Sequence, residues 1–366
     1  MRSCPVAVGS SARICTRGSM AEHGGAKQRA LDEVDWPIPR QAVEGTEDGP
    51  LKRLEAWCIG ALMGTCARLP DRALDLVIAG AARIAFRFDR RHREAGRRFL
   101  EQALGTMPRA ESDRRLRQAY AHFFRVVLEP RRLTLRVPED RILERFDIEW
   151  TEDARRLVEE RRGCILVTPH LGSWELTPRI AGLVGFAPVY GIAKPVKNRP
   201  LSIRIQRERE TSGVRLMPRR GAMVDAVGVI RAGGAVGMLV DQRARKRPVL
   251  APFFGRPARC DRSVGVLVKR LGAPILMASC LRTDEPLRWR VRFYACFQPE
   301  ELRGESPVEI AARLNRVFER MILDAPEQYF WLHDRYKDTP AEFPDGGEVT
   351  RGDTRRAQSE RKEEQA

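Results

Sequence analysis

One histidine of this chain follows an apolar stretch and precedes a turn, a position where α/β proteins often place catalytic groups. Residues 164–170 read Cys-Ile-Leu-Val-Thr-Pro-His, and Leu171-Gly172 follows. Sites in α/β sheets lie where strand ends meet helix starts, and histidine is the most frequent general base near neutral pH. His170 is therefore the candidate base. Four other histidines are interpreted as structural or incidental: His23, His92, His122 and His333.

A carboxylate follows five residues later, at Glu175. Ser173 is expected to cap a helix that begins at Trp174, which would put Glu175 in the first turn. If the turn at Gly172 folds back, the carboxylate reaches the imidazole of His170. It would hold one ring nitrogen protonated and leave the other free to take a proton. The alternative is that Glu175 only complements the helix dipole.

The elements that must position these residues alternate along the chain. From residue 150, short apolar runs predict strands near 164–167, 188–192, 236–240, 274–277 and 289–294. Helical patterns lie between them, near 174–184, 199–212, 221–232 and 261–272. This alternation predicts an α/β fold with a central mixed sheet flanked by helices. A Ser306-Pro-Val-Glu309 capping box predicts a helix to about Leu323, and Ser112 is the expected N-cap of a helix to about Leu128.

The sequence divides into four predicted regions. Residues 1–50 are expected to be a flexible N-terminus without a signal peptide, with Met1 or Met20 as the start. Residues 51–105 are helices, residues 106–338 the α/β domain, and residues 339–366 a disordered charged tail.

The first helical region holds two apolar stretches, Ala56–Ala67 and Leu76–Ala82. Both are shorter than the roughly 18 residues wanted for a membrane-spanning helix. We expect them to lie on or dip into a membrane, and ordinary core helices are the alternative.

The net charge of +17, from 66 Lys and Arg against 49 Asp and Glu, predicts affinity for anions. Nucleic acid, acidic proteins and anionic membranes all qualify. A coding bias toward Arg explains the preference for Arg over Lys, but not the excess of bases over acids. No zinc spacing, helix-turn-helix cue or P-loop occurs, which disfavours nucleic-acid binding and excludes a P-loop nucleotidase. The eight cysteines include no C-x-x-C pair, so we expect reduced thiols and no metal site.

The stretch Thr168–Leu176, Thr-Pro-His-Leu-Gly-Ser-Trp-Glu-Leu, closely resembles the H-x4-E/D box of the lipid A biosynthesis acyltransferases. This lauroyl/myristoyl type lies within the glycerolipid and lysophospholipid acyltransferases. Further blocks resemble the family in order: Lys194–Leu201, Leu216–Gly221, Gly237–Gln242, Pro252–Ala258 and Gln328–Lys337. The resemblance covers about residues 55–337. Cys260 stands where the family commonly has Thr, and residues 243–247 are unusually basic.

The resemblance implies transfer of a fatty acyl chain from an acyl carrier protein or CoA thioester to a hydroxyl of a membrane lipid. A lipid A precursor is the expected acceptor, and another glycolipid or phospholipid is the alternative. His170 would be the base and Glu175 its orienting partner, with backbone N–H groups of residues 171–173 or a nearby Arg holding the oxyanion. No cofactor is expected. The implied location is the cytoplasmic face of the inner membrane. A nucleic-acid-binding protein and an inactive membrane scaffold are remoter alternatives, and the presence of both His170 and Glu175 disfavours the scaffold.

Further residues are expected to bind substrate. Lys194, Arg219 and Arg220, together with Arg243, would hold phosphate on the acceptor or on phosphopantetheine, or else are solvated surface residues. The others are assigned from their blocks: Gly172, Trp174, Asp241, Gln242, Phe254 and Gly255. Asp241 and Gln242 would position the substrate. Trp174 and Phe254 would line an acyl groove or belong to the core.

Overall fold

A seven-stranded mixed sheet lies at the centre of the protein, in the order β1-β9-β8-β2-β5-β3-β4. In chain order its strands are β1 (Phe146–Glu149), β2 (Cys164–Thr168), β3 (Val189–Ala193), β4 (Val214–Pro218), β5 (Ala235–Leu239), β8 (Ile275–Arg282) and β9 (Trp289–Phe297). Neighbours are parallel except β8 and β9, which are antiparallel. A separate antiparallel hairpin contains β6 (Val249–Phe253) and β7 (Arg256–Cys260).

Ten α-helices surround the sheet in the computed structural model, which describes residues 34–40 and 44–343. The helices are α1 (Pro50–Arg68), α2 (Asp71–Phe88), α3 (Arg90–Leu104), α4 (Arg109–Arg136), α5 (Glu152–Glu159), α6 (Thr177–Ala181), α7 (Arg199–Glu210), α8 (Ala222–Arg231), α9 (Ser263–Leu271) and α10 (Pro307–Asp324). Most of the predicted flexible N-terminus and charged tail lies outside the described residues.

Strand β2 is buried on both faces, which is typical of a central parallel strand. Ile165 and Val167 belong to the larger apolar cluster, while Cys164 and Leu166 belong to a second cluster. Because side chains alternate along a strand, the two clusters lie on opposite faces of the sheet. The carboxyl end of β2, and with it His170, therefore lies at the middle of the sheet edge.

The predicted α/β class with a central mixed sheet is confirmed. All five predicted strands are present, and β8 and β9 extend beyond their predicted ends. The capping box is also confirmed, because Ser306 accepts from the Glu309 N–H and the Glu309 carboxylate accepts from the Ser306 N–H.

Other boundaries differ from the predictions. Strands β1, β4, β6 and β7 were not predicted, because each is short and carries charged or proline residues. Helix α4 begins at Arg109, leaves Ser112 buried within it, and continues through Pro130 to Arg136. Its packing against α1 and α2 overrides the local signals of capping serine and proline.

The N-terminal helices α1 and α2 pack against α4, with Leu74 and Ile78 buried. No helix among the described residues combines the length and apolar composition needed to cross a bilayer. Both helices nevertheless expose large apolar side chains: Leu51, Leu54, Trp57, Leu62, Leu76, Val77, Ile84 and Phe88.

Candidate functional site

The loop after β2 is fixed by backbone bonds to two distant segments. The Gly172 N–H donates to the Gln328 carbonyl at 2.9 Å, and the Ser173 N–H donates to the Cys280 carbonyl at 2.6 Å. Gly172 has a φ of 58°, and a Cβ there would lie 2.2 Å from the Cys280 oxygen. A side chain at residue 172 would therefore displace the loop that carries His170. Because these bonds hold the loop as turns, α6 starts at Thr177 and Ser173 is not its N-cap, contrary to the prediction.

His170 is bound at its ring and backbone by Asp241. The ring Nδ1 lies 2.7 Å from Asp241 Oδ1, and the His170 backbone N–H donates to Oδ2 at 2.9 Å. Asp241 follows β5, the parallel neighbour of β2, so both residues leave the sheet at the same edge. The Tyr329 hydroxyl donates to the same Oδ2 at 3.1 Å. The Asp241 side chain is fully buried, whereas that of His170 is 20% exposed.

The charge state of Asp241 fixes the tautomer of His170. Burial would raise the pKa of the Asp241 carboxyl, but the His170 charge and hydrogen bonds outweigh burial and lower it below its usual range. Burial and the nearby Asp241 charge raise the pKa of Tyr329 well above its usual value, so its hydroxyl stays protonated. An ionised carboxylate can only accept, so Nδ1 of His170 carries the hydrogen. The Nε2 lone pair is then free to take a proton.

The free nitrogen lies beside aromatic rings and one amide. The rings of Trp174 and Phe330 lie 5.4 and 6.1 Å from the His170 ring, between centroids. The Gln242 side-chain nitrogen lies 3.5 Å from His170 Nε2 and is exposed. This arrangement is a partly exposed base with a buried, ionised orienting group, and a polar donor stands next to the reacting nitrogen.

The predicted contact between Glu175 and His170 is wrong. The Glu175 carboxylate instead pairs with Arg209 of α7 through contacts of 2.8 to 3.1 Å. The physical reason is the loop geometry, since residues 171–176 form turns rather than the first turn of a helix. Asp241 occupies the position at the ring that the sequence assigned to Glu175.

The N–H groups expected to hold an oxyanion are already engaged. The Leu171 N–H donates to the Pro169 carbonyl at 2.7 Å, and those of Gly172 and Ser173 make the loop bonds described above. The Ser173 hydroxyl is buried, donates to Glu129 and accepts from the Trp289 indole N–H. Ser173 is therefore a structural hydroxyl, and the oxyanion donor must come from elsewhere.

Comparison with known proteins decides the family. The family model of the bacterial lipid A biosynthesis acyltransferases matches residues 50–338. The chain belongs to this family.

Two relatives from Escherichia coli (strain K12) show how far the similarity extends. The chain is 30% identical to a lipid A biosynthesis palmitoleoyltransferase over 207 residues, 56% of this chain and 65% of the relative. It is 24% identical to a lipid A biosynthesis lauroyltransferase over 291 residues, 79% of this chain and 93% of the relative. A Haemophilus influenzae lipid A biosynthesis acyltransferase is 28% identical over 186 residues, 50% of this chain and 58% of the relative. The chain thus covers just under two thirds of the first relative's length.

Two of the acyltransferase blocks that lie far apart in the sequence meet at His170. Phe330, in the C-terminal block, donates its N–H to the His170 carbonyl at 2.9 Å, and Tyr329 forms a bridge with Leu171. Arg335 of the same block is fully buried and donates to the Gln242 carbonyl. The block expected to be a signature is therefore a structural support for the site.

The structure gives the other predicted binding residues three different placements. Trp174 packs against His170, and Gln242 faces it, so the structure brings both to the site. Lys194, Arg219 and Arg220 are exposed, and Arg219 lies 3.8 Å from Asp261. Phe254 and Gly255, with φ of 46° and 73°, instead form the two-residue turn between β6 and β7. Positive φ at both positions is typical of a hairpin turn, which explains the glycine without a ligand.

Sequence reasoning missed the residues beneath the loop. Glu129 accepts from Arg282 at 2.5 Å, and His122 Nε2 lies 3.2 Å from the Gly172 carbonyl oxygen. The role of Tyr329 at Asp241 was missed as well. A buried polar residue on an apolar helix face was the available signal for Glu129 and His122, since buried polar groups need partners.

Proposed function

We propose that this chain transfers a fatty acyl group from an acyl thioester to a hydroxyl of a lipid A precursor. The contact of 2.7 Å between His170 Nδ1 and the buried Asp241 carboxylate carries the proposal, together with membership of the family. This contact supports a general base of fixed tautomer at a partly exposed position. An alcohol acceptor needs such a base, because it attacks a thioester well only when its proton is removed.

His170 Nε2 takes the proton of the acceptor hydroxyl as its oxygen bonds to the thioester carbonyl carbon. The tetrahedral intermediate then collapses, the carbon–sulfur bond breaks, and the imidazolium returns its proton to the leaving thiolate. Asp241 holds the Nδ1–H and stabilises the imidazolium through both steps. We assign Gln242 as the oxyanion donor, because its amide stands 3.5 Å from Nε2 and the loop N–H groups are occupied.

The thioester donor is proposed to be acyl carrier protein or CoA, and the reaction needs no cofactor. The relatives are a palmitoleoyltransferase and a lauroyltransferase, which supports a medium to long acyl chain. The acceptor is proposed to be a lipid A precursor, with another membrane glycolipid or phospholipid as the alternative. The exposed apolar residues of α1 and α2 support placement at a membrane surface, which we propose to be the cytoplasmic face of the inner membrane.

The test is acyl transfer by purified protein in detergent micelles, with a lipid A precursor and a phospholipid acceptor offered separately. His170→Ala should lower turnover by about 10² to 10⁴, as for loss of a general base. The matched control is His92→Ala, because His92 also pairs with a carboxylate, Asp89, but at the surface. That control should stay within about twofold of the unaltered protein. Equal rates for His170→Ala and the unaltered protein would reject the proposal.

A further inference from the structure

A groove of about 300 Å³ lies between α1, α4 and α7, and three arginines line it. Arg68 comes from α1, Arg131 from α4 and Arg204 from α7. This volume is at the lower end of the range for small-molecule sites, about 300 to 1,000 Å³. The groove is distinct from the site at His170, since none of its lining residues belongs to the loop after β2.

The groove carries more positive charge than its own carboxylate neutralises. Glu208 accepts from Arg131 at 2.9 Å and from Arg204 at 3.5 Å, so one carboxylate serves two guanidinium groups. Arg68 donates to the Gly64 carbonyl at 2.9 Å. The Arg131 Nε is buried and has no hydrogen-bond partner. Arg204 also donates to the Gly60 carbonyl at 3.4 Å. Three guanidinium groups against one carboxylate leave a net positive site.

Two glycines of α1 make room for these guanidinium groups. A Cβ at Gly60 would lie 1.6 Å from Arg204 Nη1, and one at Gly64 would lie 3.1 Å from Arg131 Nη2. Glycine is unfavourable inside a helix by up to about 1 kcal/mol relative to alanine, so this space costs α1 stability. The groove is therefore shaped by the helix backbone as well as by its charges.

The surroundings of the groove favour a lipid over a soluble anion. Trp57 lines the groove and is 67% exposed, and Leu54 and Leu62 of the same helix are exposed as well. Tryptophan at a membrane interface sits at headgroup depth. A basic groove at the edge of an exposed apolar helix matches a ligand whose phosphate adjoins acyl chains.

We propose that the arginine groove binds the phosphate of an anionic membrane lipid while the apolar side chains of α1 enter the bilayer surface. Arginine suits this role, because its planar fork donates two parallel hydrogen bonds to phosphate oxygens. The site goes beyond the proposed acyl transfer, since it holds a headgroup and contributes no reacting atom.

The test compares binding to phosphatidylcholine vesicles with and without phosphatidylglycerol. Removing Arg131 and Arg204 together, as Arg131→Gln/Arg204→Gln, should weaken binding to the anionic vesicles about thirtyfold, because each basic residue near the surface contributes on the order of 1 kcal/mol and about 1.4 kcal/mol is a factor of ten. Binding to pure phosphatidylcholine should not change. The matched control is Arg141→Gln/Arg156→Gln, which removes two exposed arginines that also pair with carboxylates. An equal loss in the control would show general attraction and overturn the site.

A second variant keeps every charge. Gly60→Ala places a methyl group where the Arg204 guanidinium lies, so it should weaken binding to the anionic vesicles without altering net charge. Gly80→Ala in α2 is its control, because a Cβ there meets nothing within 4 Å. Unchanged vesicle binding by Gly60→Ala would contradict the proposal.

Two further measurements distinguish a lipid phosphate from a soluble phosphate, and lipid binding by the groove from the proposed acyl transfer. Inorganic phosphate, titrated by calorimetry, should bind only weakly and should not release the protein from vesicles. If it binds tightly and the arginine variants lose that binding alone, the ligand is a soluble phosphate and the lipid proposal fails. Acyl transfer in micelles tests the proposed function separately. If the unaltered protein shows no acyl transfer, the proposed function fails, and the vesicle measurements still test whether the groove binds lipid.

Discussion

At the scale of single residues, the site depends on an ionised carboxylate buried against an imidazole. In Asp241→Asn the amide oxygen can still accept the His170 backbone N–H, so the loop should keep its position. The amide cannot stabilise an imidazolium, and turnover should fall by about 10² to 10⁴. Turnover of the folded variant tests this role, and a rate equal to that of the unaltered protein would remove Asp241 from the mechanism.

The Glu175–Arg209 pair is a separate unit at the residue scale. Glu175→Gln should lower turnover less than Asp241→Asn, because the Glu175 carboxylate bonds Arg209 and not the His170 ring. Arg209→Gln should have a similar effect, and the double variant should be little worse than either alone. If Glu175→Gln lowers turnover by about 10² or more while Asp241→Asn leaves it unchanged, the assignment of Asp241 as the ring partner fails.

Local sequence order was enough to find His170 but not its partner. The position of His170 after an apolar run and before a glycine is visible within ten residues. Asp241 is 71 residues away in sequence, and only the parallel pairing of β2 with β5 brings it to the ring. Glu175 was the nearer carboxylate, and its distance from the ring depends on loop bonds to Gln328 and Cys280 that no local pattern contains.

At the scale of elements, apolar runs predicted the buried strands of the sheet but not its edge strands, β1 and β4. Strands β2 and β5 are continuous apolar stretches, so their positions followed directly from composition. Strand β4 contains Arg215 and Pro218 and lies at one end of the sheet, where polar residues are tolerated. Helix α4 was predicted too short, because Pro130 signals an end that packing against α1 and α2 overrides.

The hairpin of β6 and β7 gives a pH-dependent contact with α10. Glu319 accepts the Phe254 N–H at 2.6 Å, and burial raises its pKa to about 7 although the Phe254 bond and Arg316 act to lower it. The folded state therefore binds this proton more tightly than the unfolded chain, whose pKa is about 4.5. The resulting stabilisation is fully present below about pH 4.5 and is lost as the pH rises through about 7.

Glu319→Gln should abolish this dependence, because an amide accepts the same N–H without titrating. The unaltered protein should lose on the order of 2 kcal/mol more unfolding free energy than the variant between about pH 5 and pH 8, at roughly 1.4 kcal/mol per pH unit. Urea unfolding at both pH values measures the difference. Other titrating groups, such as the buried His333, are common to both proteins and cancel. If the unfolding free energies of the two proteins change equally with pH, burial does not raise the pKa of Glu319 in the folded state.

At the scale of the whole molecule, composition predicts affinity for anions but gives no location for it. The net charge of +17 is spread over many arginines that pair with carboxylates, such as Arg199 with Glu44 and Arg292 with Glu149. The unbalanced charge of the arginine groove needs residues from three helices, so no sequence window shows it. The apolar stretches of α1 and α2 can be recognised in the sequence. Which of their side chains are exposed depends on the face of each helix that packs against α4.

The last prediction concerns how the whole molecule holds to a membrane. Leu76 and Ile84 of α2 are 76% and 63% exposed, and burying each in the bilayer surface is worth up to about 1.5 to 3 kcal/mol. Leu76→Ser/Ile84→Ser should therefore make the protein easier to release from anionic vesicles with salt, since charge attraction is screened within about 3 Å at 1 M salt and fewer apolar side chains then hold the protein. Val224→Ser/Val308→Ser is the control, because it removes exposed apolar residues from α8 and α10. Sedimentation with vesicles at low and high salt distinguishes the two variants. If the unaltered protein stays in solution with anionic vesicles at low salt, neither the apolar face nor the charge binds a membrane.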